Sequence, residues 1–159
     1  MHDSMRYKTH WIIRKYADDE AFKKGEAFDE STIEGNLMLN EGIDELWDIL
    51  IGAGGTTLFD TTNSQLGVGD GTTAEAATQT DLVGVNTLYK GMETGYPQRS
   101  AETVTWRSVF TGTEANFAWN EFTVRNGATA LKNLNRKVSA QGTKTSGQTW
   151  TLDLQITLS

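Results

Sequence analysis

The chain lacks cysteine altogether, and it has one proline and two histidines among its 159 residues. Without cysteine it has no disulfide framework, no thiol nucleophile and no zinc site of the thiolate type. The two histidines, His2 and His10, do not have the paired spacing of metal ligands. Pro97 is the only proline, and no long run of proline, serine or glycine suggests a linker. We therefore predict a single compact unit.

Basic residues are missing from the middle of the chain. No lysine or arginine occurs between Lys24 and Lys90, a span that holds twelve acidic residues, and the formal net charge of the chain is −7. Such a span repels phosphate backbones, so we expect no nucleic acid partner. The flanking parts are net basic, and the hydrophobic content is only 37%. A chain with acidic and basic parts can pair with copies of itself, which predicts a homo-oligomer, either a trimer or a dimer.

Long apolar runs are also missing. The longest apolar patch, Leu46–Gly54, is interrupted by Asp48, so we expect no association with a membrane. The first residues, MHDSMRYKTHW, lack the apolar centre of a signal peptide, which predicts no cleaved export signal. Met1–Lys8 is polar, and we interpret it as an arm that is either flexible or docked on a partner.

One helix is predicted at Asn40–Ile51. Its apolar residues recur at helical spacing and form one stripe: Ile43, Leu46, Trp47, Leu50 and Ile51. Asn40 suits the N-cap, and Gly52 suits a left-handed end of the helix. The acidic residues lie mostly on the other face, which we interpret as solvated: Glu41, Asp44, Glu45 and Asp48.

Most other segments favour strands. Thr9–Tyr16 and Gly25–Ile33 form a predicted hairpin around a turn at Asp18–Glu20. Thr149–Leu158 alternates strictly, with Trp150, Leu152, Leu154, Ile156 and Leu158 predicted inward and Thr149, Thr151, Asp153, Gln155 and Thr157 outward. Asn126-Gly127 is a hairpin-turn signal. Further strands are predicted at Ser64–Val68, Asn86–Met92, Glu102–Phe110, Phe117–Val124 and Leu134–Ala140, and a short helix or turn at Thr73–Thr80.

These elements predict a mainly β fold. Many short strands, glycine turns and one helix are typical of an antiparallel β-sandwich or barrel, jelly-roll-like in type. Residues 1–36 would form the N-terminal arm and hairpin, and residues 37–159 the β-rich domain. Four tryptophans in predicted strands are expected in the core, namely Trp11, Trp106, Trp119 and Trp150. Tyr96, beside Pro97 in a loop, is expected at the surface.

The glycine-rich stretch Gly67–Gly71 resembles phosphate-binding loops only superficially. It has no following lysine, its glycine spacing does not fit a dinucleotide-binding turn, and Asp70 would repel phosphate. We expect glycine there to supply positive φ or close backbone packing. Asp60, Asp70 and Asp81 do not match an EF-hand calcium loop. We therefore predict no catalytic residue, no cofactor and no metal site.

Several stretches resemble a family of small structural proteins of tailed bacteriophages. They follow one another through most of residues 39–159: LNEGIDELWDILIG (Leu39–Gly52), Leu66–Asp70 with Thr73–Leu82, LYKGMETGYPQ (Leu88–Gln98), EANFAWNEFTV (Glu114–Val124), LNRKV (Leu134–Val138) and QGTKTSGQTWTLDLQITLS (Gln141–Ser159). Residues 1–36 match the family less clearly.

The resemblance implies a virion component without enzymatic activity, made in the host cytoplasm and assembled into particles. The preferred interpretation is a capsid decoration or cement protein on the outer surface of the capsid, where it bridges major capsid protein subunits. Its partners would be the major capsid protein and copies of itself. The alternatives are a tail or tail-fibre component, a carbohydrate-binding β-sandwich module and, from another class, an enzyme.

Overall fold

Two antiparallel sheets of five strands each pack face to face in the computed structural model, which describes residues 5–127 and 131–159. The fold is therefore mainly β, and of the two predicted alternatives it is the sandwich. His2 and the first four residues of the predicted arm lie outside the described residues. The elements are β1 (Tyr7–Tyr16), α1 (Asp19–Lys24), β2 (Asp29–Glu34), β3 (Leu37–Met38), α2 (Asn40–Ile51), β4 (Gln65–Gly69), β5 (Thr87–Gly91), β6 (Gln98–Ser100), β7 (Thr103–Phe110), β8 (Glu121–Arg125), β9 (Asn135–Val138) and β10 (Thr149–Leu158).

The first sheet has the strand order β2-β1-β10-β7-β6. Four of the predicted inward residues of β10 are buried, namely Trp150, Leu152, Leu154 and Ile156, which confirms the strand, but the inward prediction is wrong for Leu158, which is 45% exposed. The outward prediction is wrong for Thr149, Thr151 and Asp153, which are also buried. Asp153 lies between two arginines of neighbouring strands: Arg14 Nη1 is 3.1 Å and Arg107 Nε is 2.7 Å from its carboxylate. This ion-pair cluster links β1, β10 and β7 on the outer face of the sheet.

The second sheet has the strand order β3-β9-β8-β4-β5. Its inward side chains meet those of the first sheet in one core. Trp119 joins the two sheets, since its ring lies 4.9 Å from that of Phe110 and 5.0 Å from that of Trp150. The four tryptophans expected in the core are all buried. Tyr96 is half-buried instead of fully exposed, and the Arg107 guanidinium lies 4.7 Å from the centre of its ring.

The predicted N-terminal hairpin exists, but its connection contains a helix. β1 and β2 pair antiparallel, and α1 replaces the turn predicted at Asp18–Glu20. The Asp18 side chain caps α1 by accepting a hydrogen bond from the Ala21 N–H at 2.8 Å, and Gly25 ends the helix at φ 71°. Six residues are too few for a periodic apolar pattern, so the capping residues were the only signal.

Several other boundaries also differ from the prediction. Of the two alternatives predicted for Thr73–Thr80, the structure has a turn, at residues 77–78 of an irregular segment. Only the β8 part of the strand predicted at Phe117–Val124 is regular. Trp119 and Phe122 both enter the core although they are three positions apart, which breaks the two-residue alternation of a strand. The turn signal Asn126-Gly127 does mark the connection between β8 and β9, but this connection is longer than two residues. β3 and β6 are short additional edge strands.

Candidate interaction surface

Helix α2 packs on the sandwich through the face opposite to its apolar stripe. The buried residues of the helix are Gly42 and Glu45. The apolar stripe faces outward, with Ile43 38%, Leu46 41%, Trp47 60%, Leu50 72% and Ile51 75% exposed. The prediction of a solvated acidic face is therefore wrong for Glu45, and also for Glu41, whose side chain is only 13% exposed. Asp44 and Asp48 are exposed, as expected.

Specific hydrogen bonds explain why the acidic side of α2 docks. Glu45 Oε1 accepts from the Thr57 N–H and from the Asn126 amide, both at 2.8 Å. Glu41 Oε1 accepts from the Asn133 N–H at 2.6 Å. Burial raises the pKa of Glu41, because desolvation penalises its charged form more than this hydrogen bond and the nearby lysine stabilise it. These carboxylates satisfy backbone and amide donors that would otherwise be orphaned at the second sheet.

Close backbone packing fixes the start of the same helix. A Cβ at Gly42 would lie 2.5 Å from both the Cα and the carbonyl oxygen of Leu134, so only glycine permits this approach. The N-cap is Leu39, without a side-chain hydrogen bond, and not Asn40 as predicted. The Asn40 N–H instead donates to the Ala77 carbonyl at 2.8 Å. The helix is therefore anchored through its polar and glycine side.

The outward residues of α2 form what we call the apolar ridge: Ile43, Leu46, Trp47, Leu50 and Ile51. Beside it lies the apolar groove, a concavity of about 330 Å³. The groove lies between α2 and the ends of β1, β3, β7 and β10, and its lining includes Met5, Met38, Trp106 and Leu158. Leu46 belongs to both features, so the ridge and the groove form one continuous surface. Met5 and Leu158 are 76% and 45% exposed.

The exposed apolar area is large for a chain of this size. The ridge residues, Met5 and Leu158 are between 38% and 76% exposed. With the scale of the largest aromatic side chains as a ceiling, their exposed surface is at most about 1,000 Å² in total. Monomeric proteins rarely expose a contiguous apolar patch above a few hundred Å², and larger patches mark interaction sites. The ridge and the groove are therefore the candidate functional site of the described residues.

The glycine-rich stretch does surround an anion, but the anion is a carboxylate of the protein itself. Glu121 on β8 is fully buried. Its Oε1 accepts hydrogen bonds from the N–H groups of Gly84 at 2.7 Å, Val83 at 3.1 Å and Gly71 at 3.2 Å. Arg136 on β9, also fully buried, donates to Oε2 from Nε at 2.9 Å and from Nη2 at 2.7 Å. We call this group the Glu121 clamp.

Close packing is the reason for the glycines around the clamp. A Cβ at Gly69 or Gly71 would approach Glu121 Oε1 to 2.4 or 2.5 Å. Neither glycine has positive φ, so of the two predicted roles only close packing applies. Sequence reasoning missed Glu121 and Arg136. The available signal was a single acidic residue within an otherwise apolar and threonine-containing strand, together with glycines at alternate positions of the strand that pairs with it.

The three aspartates considered for calcium serve separate loops. Asp60 Oδ1 accepts from the Asn63 N–H at 2.9 Å, Asp70 Oδ1 accepts from the Asn86 N–H at 3.0 Å, and Asp81 accepts from the Tyr89 hydroxyl. Within residues 5–127 and 131–159, no group of three histidine or acidic side chains is arranged around a common point for a metal. His10 Nε2 lies 3.6 Å from Glu34 at the surface.

Neither helix in the described part of the chain has the length and apolar character needed to cross a bilayer. In comparisons with known proteins, the chain matches no family model, no curated protein and no solved structure.

Proposed function

We propose that this chain is a non-enzymatic structural protein of a virion, and specifically a capsid decoration or cement protein. The observation that carries the proposal is the apolar ridge with its adjoining groove, because large exposed apolar patches mark sites where another protein binds. The resemblance of residues 39–159 to structural proteins of tailed bacteriophages supports the same function. Its partners would be the major capsid protein and copies of itself, on the outer capsid surface.

Such a protein binds through a broad contact area that is repeated at many symmetry-related positions of the shell. A stable interface buries about 800 Å² on each partner, and the exposed apolar surface of this chain is of that order. Each contact is modest, but a symmetric shell repeats it many times, and a protein held at several points dissociates much more slowly than one held at a single point. Bridging neighbouring shell subunits in this way would oppose the outward pressure of packaged DNA.

The fold suits this role. The Glu121 clamp and the Asp153 ion-pair cluster each link neighbouring strands of one sheet through a buried, hydrogen-bonded carboxylate. They would hold the sandwich in one shape, so that little conformational freedom is lost on binding.

The experiment that tests the proposal is to locate the chain in an electron-microscopy map of the intact particle. We expect hundreds of copies over the capsid surface at symmetry-related positions between major capsid protein subunits. A few to tens of copies at the tail would refute decoration and favour a tail or tail-fibre component. Absence from purified particles would refute both virion functions.

A further inference from the structure

We infer that the apolar ridge and the apolar groove together form a two-fold interface between two copies of this chain. The inference concerns the free protein and does not depend on the virion assignment. It names one occupant for this surface in the free protein, a second copy, and one geometry, in which the ridge of each copy lies in the groove of the other.

The first argument is shape. An interface with two-fold symmetry uses the same patch on both copies, so the patch must be complementary to itself. This patch combines a convex helix with a concavity of about 330 Å³ directly beside it. Since Leu46 forms the boundary between them, rotation about an axis near Leu46 would place Trp47 and Leu50 of each copy over the groove of the other.

The second argument is area. The exposed ridge residues, Met5 and Leu158 present up to about 1,000 Å², and a standard interface needs about 800 Å² on each partner. A dimer could therefore form from this surface alone. The residues also have the composition of an interface centre, with one large aromatic side chain, Trp47, surrounded by aliphatic ones.

The test is the mass of the purified protein in solution, measured by sedimentation equilibrium over a wide range of concentrations. We expect a dimer of twice 17.5 kDa. Leu50→Glu should raise the dimer dissociation constant by roughly a hundredfold or more, because it places an unpaired carboxylate in the interface. Ile51→Glu should act in the same way. Both residues are more than two-thirds exposed, so the isolated fold should tolerate these changes.

Val85→Glu is the matched control, since Val85 is 96% exposed but belongs to neither the ridge nor the groove. It should leave the dimer intact. A second readout is the intrinsic tryptophan fluorescence, in which Trp47 is the exposed contributor beside four buried tryptophans. It should shift to shorter wavelength as the dimer forms and should lose this shift in Leu50→Glu. A monomer at every concentration, a trimer, or an unchanged dimer in Leu50→Glu would overturn the inference. Electron microscopy of intact particles tests the virion assignment independently of this result.

Discussion

Replacing Glu121 with glutamine should destabilise the fold severely although the side chain keeps its size. Glutamine removes the negative charge that pairs with Arg136, which has no solvent exposure. Leaving a buried cation without its partner costs about 3–5 kcal/mol. The glutamine amide group would also face backbone N–H donors of the glycine-rich stretch, and each orphaned donor adds about 1–3 kcal/mol. Gln79, 3.0 Å from Arg136 Nη1, remains as a neutral acceptor and limits the loss.

We therefore expect Glu121→Gln to lower the free energy of unfolding by at least about 3 kcal/mol, a large part of the ~5–15 kcal/mol of a typical domain. Urea unfolding measures this directly, as a midpoint lower by roughly 1–3 M at an unchanged slope. Amide hydrogen exchange provides the local measurement. Gly71, Val83 and Gly84 should lose protection before the strands of the first sheet do, because their N–H groups bond to the lost carboxylate.

Glu26→Gln makes the same chemical change at an exposed position and should alter stability by less than about 0.5 kcal/mol. Arg136→Met alone and combined with Glu121→Gln completes a double-mutant cycle, in which the two effects should be strongly non-additive. The reasoning fails if Glu121→Gln costs less than about 1 kcal/mol, or if exchange at the three amides is unchanged.

Two further predictions concern the anchoring of α2 and the acid limit of the fold. Gly42→Ala should destabilise by about 1–3 kcal/mol despite the higher helix propensity of alanine, because its Cβ would lie 2.5 Å from the Leu134 backbone; Gly54→Ala, which meets no atom within 4 Å, should not. Hydrogen bonds from Asn86 hold the pKa of Asp70 below its ordinary 3.8, so its contribution is present above that pH and is lost as pH falls through the lower folded value. Asp70→Asn should therefore flatten the decline of the melting temperature below about pH 4, and an unchanged decline would contradict this role.

The sequence predicted those elements in which apolar residues recur at one regular spacing. The alternation in β10 runs without interruption for ten residues, and the structure buries its inward residues as far as Ile156. The periodicity of α2 likewise predicted a helix with the observed bounds, Asn40–Ile51. Periodicity could not show which face of the helix packs on the rest of the protein. A stripe shows that two faces differ, but Glu45 and Gly42 decide which face docks, and their partners are distant in the sequence.

The Glu121 clamp could not be predicted for a related reason. Its carboxylate, the arginine and the three backbone donors come from segments separated by 15 to 50 positions. Each segment has an ordinary local explanation: a glycine turn, a strand residue, a surface arginine. Only the pairing of β4 and β9 on either side of β8 brings them together. The same holds for Asp153, which is outward in the alternation but is buried by arginines of the two adjacent strands.

The pairing of β1 with β10 has a consequence for how the chain is made. Tyr7 pairs with Leu158 and Tyr16 with Thr149, so the central strands of the first sheet come from opposite ends of this sequence. β1 therefore cannot pair with β10 until nearly the whole sequence has left the ribosome. Until then, Trp11 and Ile13 remain uncovered. During that interval the outward face of α2 is a second uncovered apolar surface. Chaperone binding and aggregation during expression should therefore depend on the outer residues of α2 as well as on the core.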